Sequence, residues 1–429
     1  MYRLMQQVVK AIQNILKFVW SIGITLLNLP RIAWRLAKAV WQKRSTKDGW
    51  RHFLQENIKA GLETAYNRTK QNETLDAFDI DNGSKKYVIF SDQHRGAQNG
   101  ADDFERSERA YNAALAYYYE LGYTLIVLGD AEELWEERPK NVIRAYPHSL
   151  ALEARFHKEQ RYHRVYGNHD DIWKDEIAVN KHLQSIFDPE KLKVREGLKI
   201  PVQRNGQHIG EFFLVHGHQG SLESDYFTLF SRLLVRFVWK YVQRITKKRL
   251  NTPATHWQMR KLTNIAMYHW AINREKMVLI TGHTHKPVFE PRQNETFLKN
   301  KLRDVSPGNA FQSAELLAEL EWEHTLGAKI PVEELEDGRQ VKYCYFNSGC
   351  CSYSDGDVTG LEIVNGHIRL VRWPDDDGRP LPKQLDEASL LEVFKSVNPE
   401  LAAALSAEIK ESKGVVSAGT NGHRHPASA

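Results

Sequence analysis

Five short polar stretches, each directly after a run rich in apolar residues, restrict what this chain can become: Ser91-Asp92-Gln93-His94, Gly129-Asp130, Gly167-Asn168-His169-Asp170, His216-Gly217-His218 and Gly282-His283-Thr284-His285. The runs before them, Tyr87 to Phe90, Leu125 to Leu128, Arg164 to Tyr166, Glu211 to Val215 and Met277 to Ile280, read as buried strands. Asp, Asn and His therefore gather at the carboxyl ends of neighbouring strands, where open α/β sheets bind their ligands. Helical patterns over Glu105 to Leu121 and Leu150 to Gln160 lie between the strands. Such alternation argues for a sheet covered by helices.

The residue types in the five stretches point to a metal centre. Carboxylate, amide oxygen and imidazole suit hard or borderline divalent metals, and thiolates are absent from all five. Asp92 and His94, two apart on extended chain, can face one ion together. A carboxylate has two oxygens, so Asp130 can bridge that ion to a second. Asn168, His216 and His283 would complete the second ion, and His285 the first. Two ions so bridged polarise a water and clamp phosphoryl oxygens through an in-line displacement, which is metal-assisted phosphoester hydrolysis. The adjoining Gly129, Gly167, Gly217 and Gly282 read as turn residues.

In their order, D-x-H, G-D, G-N-H-D, H-G-H and G-H-T-H resemble the calcineurin-like metallophosphoesterase superfamily over Tyr87 to Trp373. The resemblance implies a four-layer α/β/β/α sandwich and a dinuclear site of Mn, Fe, Zn or similar ions held by Asp92, His94, Asp130, Asn168, His216, His283 and His285. It also implies that His169 binds the phosphate or protonates the leaving oxygen, with Asp170 orienting it; His218 is a neighbour of the ligands and a candidate substrate contact. Gly129-Asp130-Ala131-Glu132-Glu133-Leu134-Trp135 is similar to the G-D-x-x-E-x-W form of the bacterial UDP-2,3-diacylglucosamine hydrolases, which carry a helical cap. His169 and His218 depart from that branch, where Arg and Asp are usual. Arg95 is expected at the mouth of the site, where it could hold a phosphate. Asn347 is read as a turn residue, and Cys350 and Cys351 as buried structural thiols.

Charge is distributed unevenly along the 429 residues: the formal net charge is +5, yet Met1 to Arg51 holds ten Lys or Arg and one acidic residue, Asp48. On a helical wheel Arg3, Gln6, Lys10, Gln13, Asn14 and Lys17 share one arc, opposite Leu4, Val8, Ile12, Ile15, Leu16 and Val19. Faces of this kind lie on anionic membranes. Lys17, Pro30 and Arg31 interrupt the apolar residues before they reach the ~20 a spanning helix needs. Three clustered cysteines fit a reducing compartment. The expectation is a cytoplasmic protein, peripheral at the inner membrane face.

The segments expected are a basic amphipathic one at 1–47, a linker helix and turn at 48–84, the phosphoesterase domain at 85–375 with a helical insertion at 219–276, a helical extension at 376–413 and a disordered tail at 414–429. Within the insertion Arg232, Arg236, Lys240 and Arg244 recur at four-residue spacing beside Leu233, Phe237 and Tyr241. A hairpin of Leu361 to Val364 and Ile368 to Arg372 is expected around Asn365-Gly366. The substrate is a phosphoester or pyrophosphate, lipid-linked or nucleotide-linked. A soluble nucleotide or nucleic-acid phosphodiesterase and a non-catalytic scaffold of the same fold remain as alternatives.

Overall fold

Strands without polar alternation are buried on both faces, and helices must then cover those faces. Tyr87-Val-Ile-Phe90 and Met277-Val-Leu-Ile-Thr281 are of this type, and every residue in both is buried. They are interior strands of two different sheets. The structure is a computed structural model that describes residues 47–69, 71–83, 85–99, 102–220, 257–289, 317, 342–374 and 381–407. Residues 1–46, 221–256 and 414–429 lie outside these, and with them most of the expected amphipathic segment, most of the helical insertion and the expected tail.

The strands in chain order are β1 (Phe78–Asp79), β2 (Tyr87–Phe90), β3 (Thr124–Leu128), β4 (Tyr162–Val165), β5 (Val194–Arg195), β6 (Gly197–Arg204), β7 (Gln207–Val215), β8 (Met277–Thr281), β9 (Tyr345–Asn347), β10 (Val358–Val364), β11 (His367–Trp373) and β12 (Lys383–Ser389). A five-stranded sheet runs β1-β6-β7-β8-β9 and a seven-stranded sheet runs β12-β11-β10-β2-β3-β4-β5. In the latter β2, β3, β4 and β5 are parallel, and in the former β7, β8 and β9 are parallel. Parallel neighbours end at the same edge, so each sheet presents a row of strand ends there.

The helices are α1 (Lys47–Arg68), α2 (Glu108–Glu120), α3 (Pro139–Ala145), α4 (Pro147–Lys158), α5 (Glu176–His182), α6 (Trp257–Ile272) and α7 (Leu390–Val397). In α2 the residues Ala110, Tyr111, Ala114, Leu115 and Tyr118 are buried, the helical period of a face laid on a sheet. This face packs on β3 and β11, with α4 beside it. α6 lies on β8 and β9, and α7 on β8. The result is the expected α/β architecture, two sheets flanked by helices.

Two of the elements near the expected segment bounds differ from the sequence reading. The chain divides into compact units between Asn57 and Ile58, and β1 joins the five-stranded sheet beside Val202 and Gln203, upstream of residue 85. The expected insertion ends in α6, the only one of its helices among the described residues. The C-terminal extension, expected as one helix from Ala388, begins instead as strand β12 and turns helical at Leu390. The reason is the edge of β11: the hairpin at Asn365-Gly366, with φ of 51° and 71°, leaves β11 with unpaired backbone groups that β12 satisfies. Arg369 faces Glu387 in that register at 2.9 Å, so polar residues of low strand propensity are held by their partners.

Candidate metal centre

The loops after β2, β3, β7 and β8 must turn sharply while aiming their side chains inward. Asp92, His94, Asp130, His283 and His285 all have positive φ, between 50° and 68°. For residues with a Cβ this conformation is uncommon and concentrates at functional sites. Backbone pairing between loops holds it in place: His94 N donates to Asp130 O at 2.9 Å, Asp92 N to Gly129 O at 3.1 Å and Gly282 N to His216 O at 3.0 Å.

Two of the glycines serve close approach. A Cβ on Gly167 would lie 2.1 Å from Asp130 Oδ1, and one on Gly282 would lie 2.5 Å from Asp92 Oδ2. Neither has a positive φ, so the reading of these two as turn residues gives way to a steric one. Both are needed so that carboxylates can reach over the neighbouring loop.

Each carboxylate is fixed through one oxygen by a backbone N–H and turns the other toward the imidazoles. Asp92 Oδ2 accepts from Ser91 Oγ at 2.5 Å and from His283 N at 2.9 Å, while Oδ1 is buried with no hydrogen-bond partner. Asp130 Oδ1 accepts from His169 N at 2.8 Å, and its Oδ2 lies 3.1 Å from His216 Nε2 and 3.7 Å from His94 Nε2. The imidazoles follow the same rule. His216 Nδ1 donates to Leu128 O at 2.8 Å, and His94 Nδ1 donates to Glu133 Oε2 at 3.0 Å, so Nε2 is the atom each turns toward the cluster, where a metal ion would displace its proton.

These atoms converge in clusters across the junction of the two sheets. Asp92, His94 and His285 form one, and Asp130, His216 and His283 another; His94, Asp130 and His169 also lie together. His285 Nε2 is 3.2 Å from Asp92 Oδ1 and 3.1 Å from His94 Nε2. Both side-chain polar atoms of Asn168, with His216 Nε2, are buried without partners. Buried polar atoms left unpaired are destabilising, and several that converge call for a cation. The donor set, oxygen and imidazole without thiolate, fits divalent metal ions. Of the ligands expected from the sequence, Asp92, His94, Asp130, His216, His283 and His285 fall in these clusters.

Electrostatics support the same view. Burial would raise Asp92 and Asp130, yet adjacent imidazoles, chiefly His285 and His216 for the first and His216 and His169 for the second, hold both well below the usual carboxylate range. Burial would lower His216 and His285, but Asp130 and Asp92 bring His216 up to about 9, and Cys350 and Asp92 bring His285 up to about 10. His283 is pushed down to about 3 by burial and by His216. Protons on histidine balance the paired carboxylates, a role a divalent cation takes over.

Other expectations need correction. Arg95 is fully buried and away from any mouth: it pairs with Glu153 at 2.6 Å and Glu132 at 2.9 Å. Asp170 does not orient His169; it accepts from Gly167 N at 2.6 Å and Ala131 N at 3.0 Å, with Arg164 Nη2 at 3.4 Å. The partner of His169 is Glu133, whose Oε2 is 2.7 Å from Nδ1, and Trp135 stacks on the ring at 4.1 Å. Both lie in the G-D-x-x-E-x-W stretch, so the signal was present in the sequence. Burial opposes a charge on His169, but Glu133 and Asp130 raise its pKa. His218 lies beside the ligands, 5.4 Å from His216 between ring centres, and is held well below its usual pKa by burial and by His216. Asn347 does more than shape a turn: its Nδ2 donates to Gly282 O at 2.6 Å, tying down the loop that carries His283.

No family model matches the chain, and no curated protein matches it. Solved structures similar to it include a predicted phosphoesterase from Streptococcus pneumoniae, 11% identical, covering 70% of this chain and 97% of that one at a TM-score of 0.24. A single mutant of Vps29 from Entamoeba histolytica is 15% identical, covering 70% and 98% at 0.26. Vacuolar Protein Sorting 29 from Cryptosporidium parvum is 13% identical, covering 71% and 98% at 0.26. At such identities and scores, the functional case rests on the geometry of the centre.

Proposed function

We propose that this chain is a calcineurin-like metal-dependent phosphoesterase. One observation carries the reading: carboxylates and imidazoles of Asp92, His94, Asp130, His216, His283 and His285, from four different loops and both sheets, converge on one buried junction, with Asp92 Oδ1 and His216 Nε2 lacking hydrogen-bond partners. Asp92, His94 and His285 would hold one ion, and Asn168, His216 and His283 the other, with Asp130 between them. Two divalent ions, when bound there, supply Lewis acidity to phosphoryl oxygens and lower the pKa of a water. The chain's own contribution is His169. Glu133 engages Nδ1 and Trp135 fixes the ring plane, so Nε2 is the atom left to bind a phosphoryl oxygen or give a proton to the leaving oxygen.

The Mn-loaded protein should hydrolyse p-nitrophenyl mono- or diesters and lose that activity to a chelator. Asp130→Asn should abolish turnover with loss of metal, whereas His169→Ala should abolish turnover with metal retained. Equal metal loss in both would sink the role given to His169.

For the substrate we favour a lipid-linked or nucleotide-linked phosphoester taken from an anionic membrane surface. What supports this is the basic amphipathic pattern of residues 1–47, together with Arg232, Arg236, Lys240 and Arg244, all outside the described residues. Among the described residues no helix is long and apolar enough to cross a membrane. Flotation with anionic liposomes that survives deletion of residues 1–47 would refute attachment through that segment.

A further inference from the structure

His169 and Trp135 also line a cavity of about 350 Å³, together with Leu134, Pro139 and Ile172 and the polar Glu137, Asp171, Lys174 and Asp175. That volume is in the range of small-ligand pockets, about 300–1,000 Å³. Apart from His169 Nε2, the polar side chains lining it each hold a hydrogen bond or ion pair. Glu137 accepts from Asn99 Nδ2 at 2.9 Å and from Asn141 Nδ2 at 3.3 Å, Asp175 accepts from Ile177 N at 3.0 Å, and Lys174 Nζ pairs with Asp171 at 3.1 Å. The indole N–H of Trp135 donates to Asn168 O at 2.7 Å. What a ligand meets is therefore the apolar surface of Leu134, Trp135, Pro139 and Ile172.

Resting on the phosphoesterase reading, we infer that this cavity receives an uncharged ring or compact apolar group esterified to the reacting phosphate. Two features select that chemistry. First, the cavity adjoins the metal centre through His169, so a group bonded to a phosphate at the ions is within its reach. Second, three carboxylates against a single, already paired lysine disfavour a second phosphate, so neither a pyrophosphate tail nor a polynucleotide strand belongs here. The walls reward a ring by burial of apolar surface and by stacking on Trp135.

The test is calorimetric binding of phenylphosphonate and methylphosphonate, which no phosphoesterase turns over, to the Mn-loaded full chain. The ring should tighten binding by about tenfold, the scale of burying one apolar group. Ile172→Asp, a change at a residue 39% exposed, should cut that preference to below about threefold. Ile177→Asp, at an exposed residue outside the cavity, should leave it intact. Equal affinity for the two phosphonates, or a preference that survives Ile172→Asp, overturns the inference. Turnover of p-nitrophenyl phosphate by the same preparation separates the failures: hydrolysis without ring preference removes the pocket alone, and neither hydrolysis nor phosphonate binding removes the phosphoesterase reading with it.

Discussion

Glu133→Gln separates the two tasks that one carboxylate performs. Its Oε2 sits 3.0 Å from His94 Nδ1 and 2.7 Å from His169 Nδ1, and burial, overcome by His169 and His94, leaves the carboxyl at about 2. Glutamine preserves the volume and one acceptor oxygen but removes the charge. At His94 a charge-assisted hydrogen bond is lost, and loss of such a partner behind a metal ligand lowers metal affinity by about 10–100-fold, or about 1.4–2.7 kcal/mol. At His169 the consequence is on the proton. The Glu133 charge helps raise that pKa, so its removal lowers it, and the imidazole gives up its proton at lower pH. If His169 protonates the leaving oxygen, the alkaline limb of kcat against pH then moves down. Phenyl phosphate is the substrate of choice, because its leaving oxygen needs a proton more than p-nitrophenolate does. Metal titration reads the first effect, and the pH profile at saturating metal reads the second. Unchanged metal affinity would refute the link to His94, and an unmoved alkaline limb would refute the link to His169.

Two further outcomes follow from buried charge. His216 at about 9 and His285 at about 10 carry protons at pH 7, whereas His283 at about 3 does not. Metal loading at pH 7 should release about two protons and weaken as pH falls; calorimetry in buffers of different ionisation enthalpy measures the number, and heats independent of buffer would contradict it. Arg95→Leu leaves Glu132 and Glu153 buried beside a lost counter-charge and should destabilise the fold by about 3–5 kcal/mol in denaturant titrations. A loss below about 1 kcal/mol would mean that the remaining cation Arg164 balances both acids.

The clustered carboxylates and imidazoles could be read from the sequence because metal chemistry restricts residue type, and strand ends restrict position. Asp92, His94 and His285 were assigned to one ion without coordinates, and the structure places them together. Arg95 was misjudged because a residue beside a ligand can point either way at a sharp turn. Only the fold shows that Glu132 and Glu153 wait behind it. Asp170 misled for a similar reason, since adjacency to His169 in sequence says nothing about contact when Gly167 N and Ala131 N claim its oxygens. Strand β12 had no local signal at all. Lys383–Ser389 carries neither β-branched residues nor alternation, and only the open edge of β11 makes it a strand.

The left-handed backbone at Asp92, His94, Asp130, His283 and His285 bears on the scaffold alternative. Each such residue costs on the order of 1 kcal/mol or more, relieved by glycine, so these positions pull against the stability of the domain that carries them. Random substitution would find relief at any of them, and a chain used only as a binding platform would gain in folding what it lost in chemistry. Heat-stability of single glycine replacements at His94 or His285 therefore measures selection directly: variants that melt higher yet bind no metal would show that these residues are maintained against the interest of the fold.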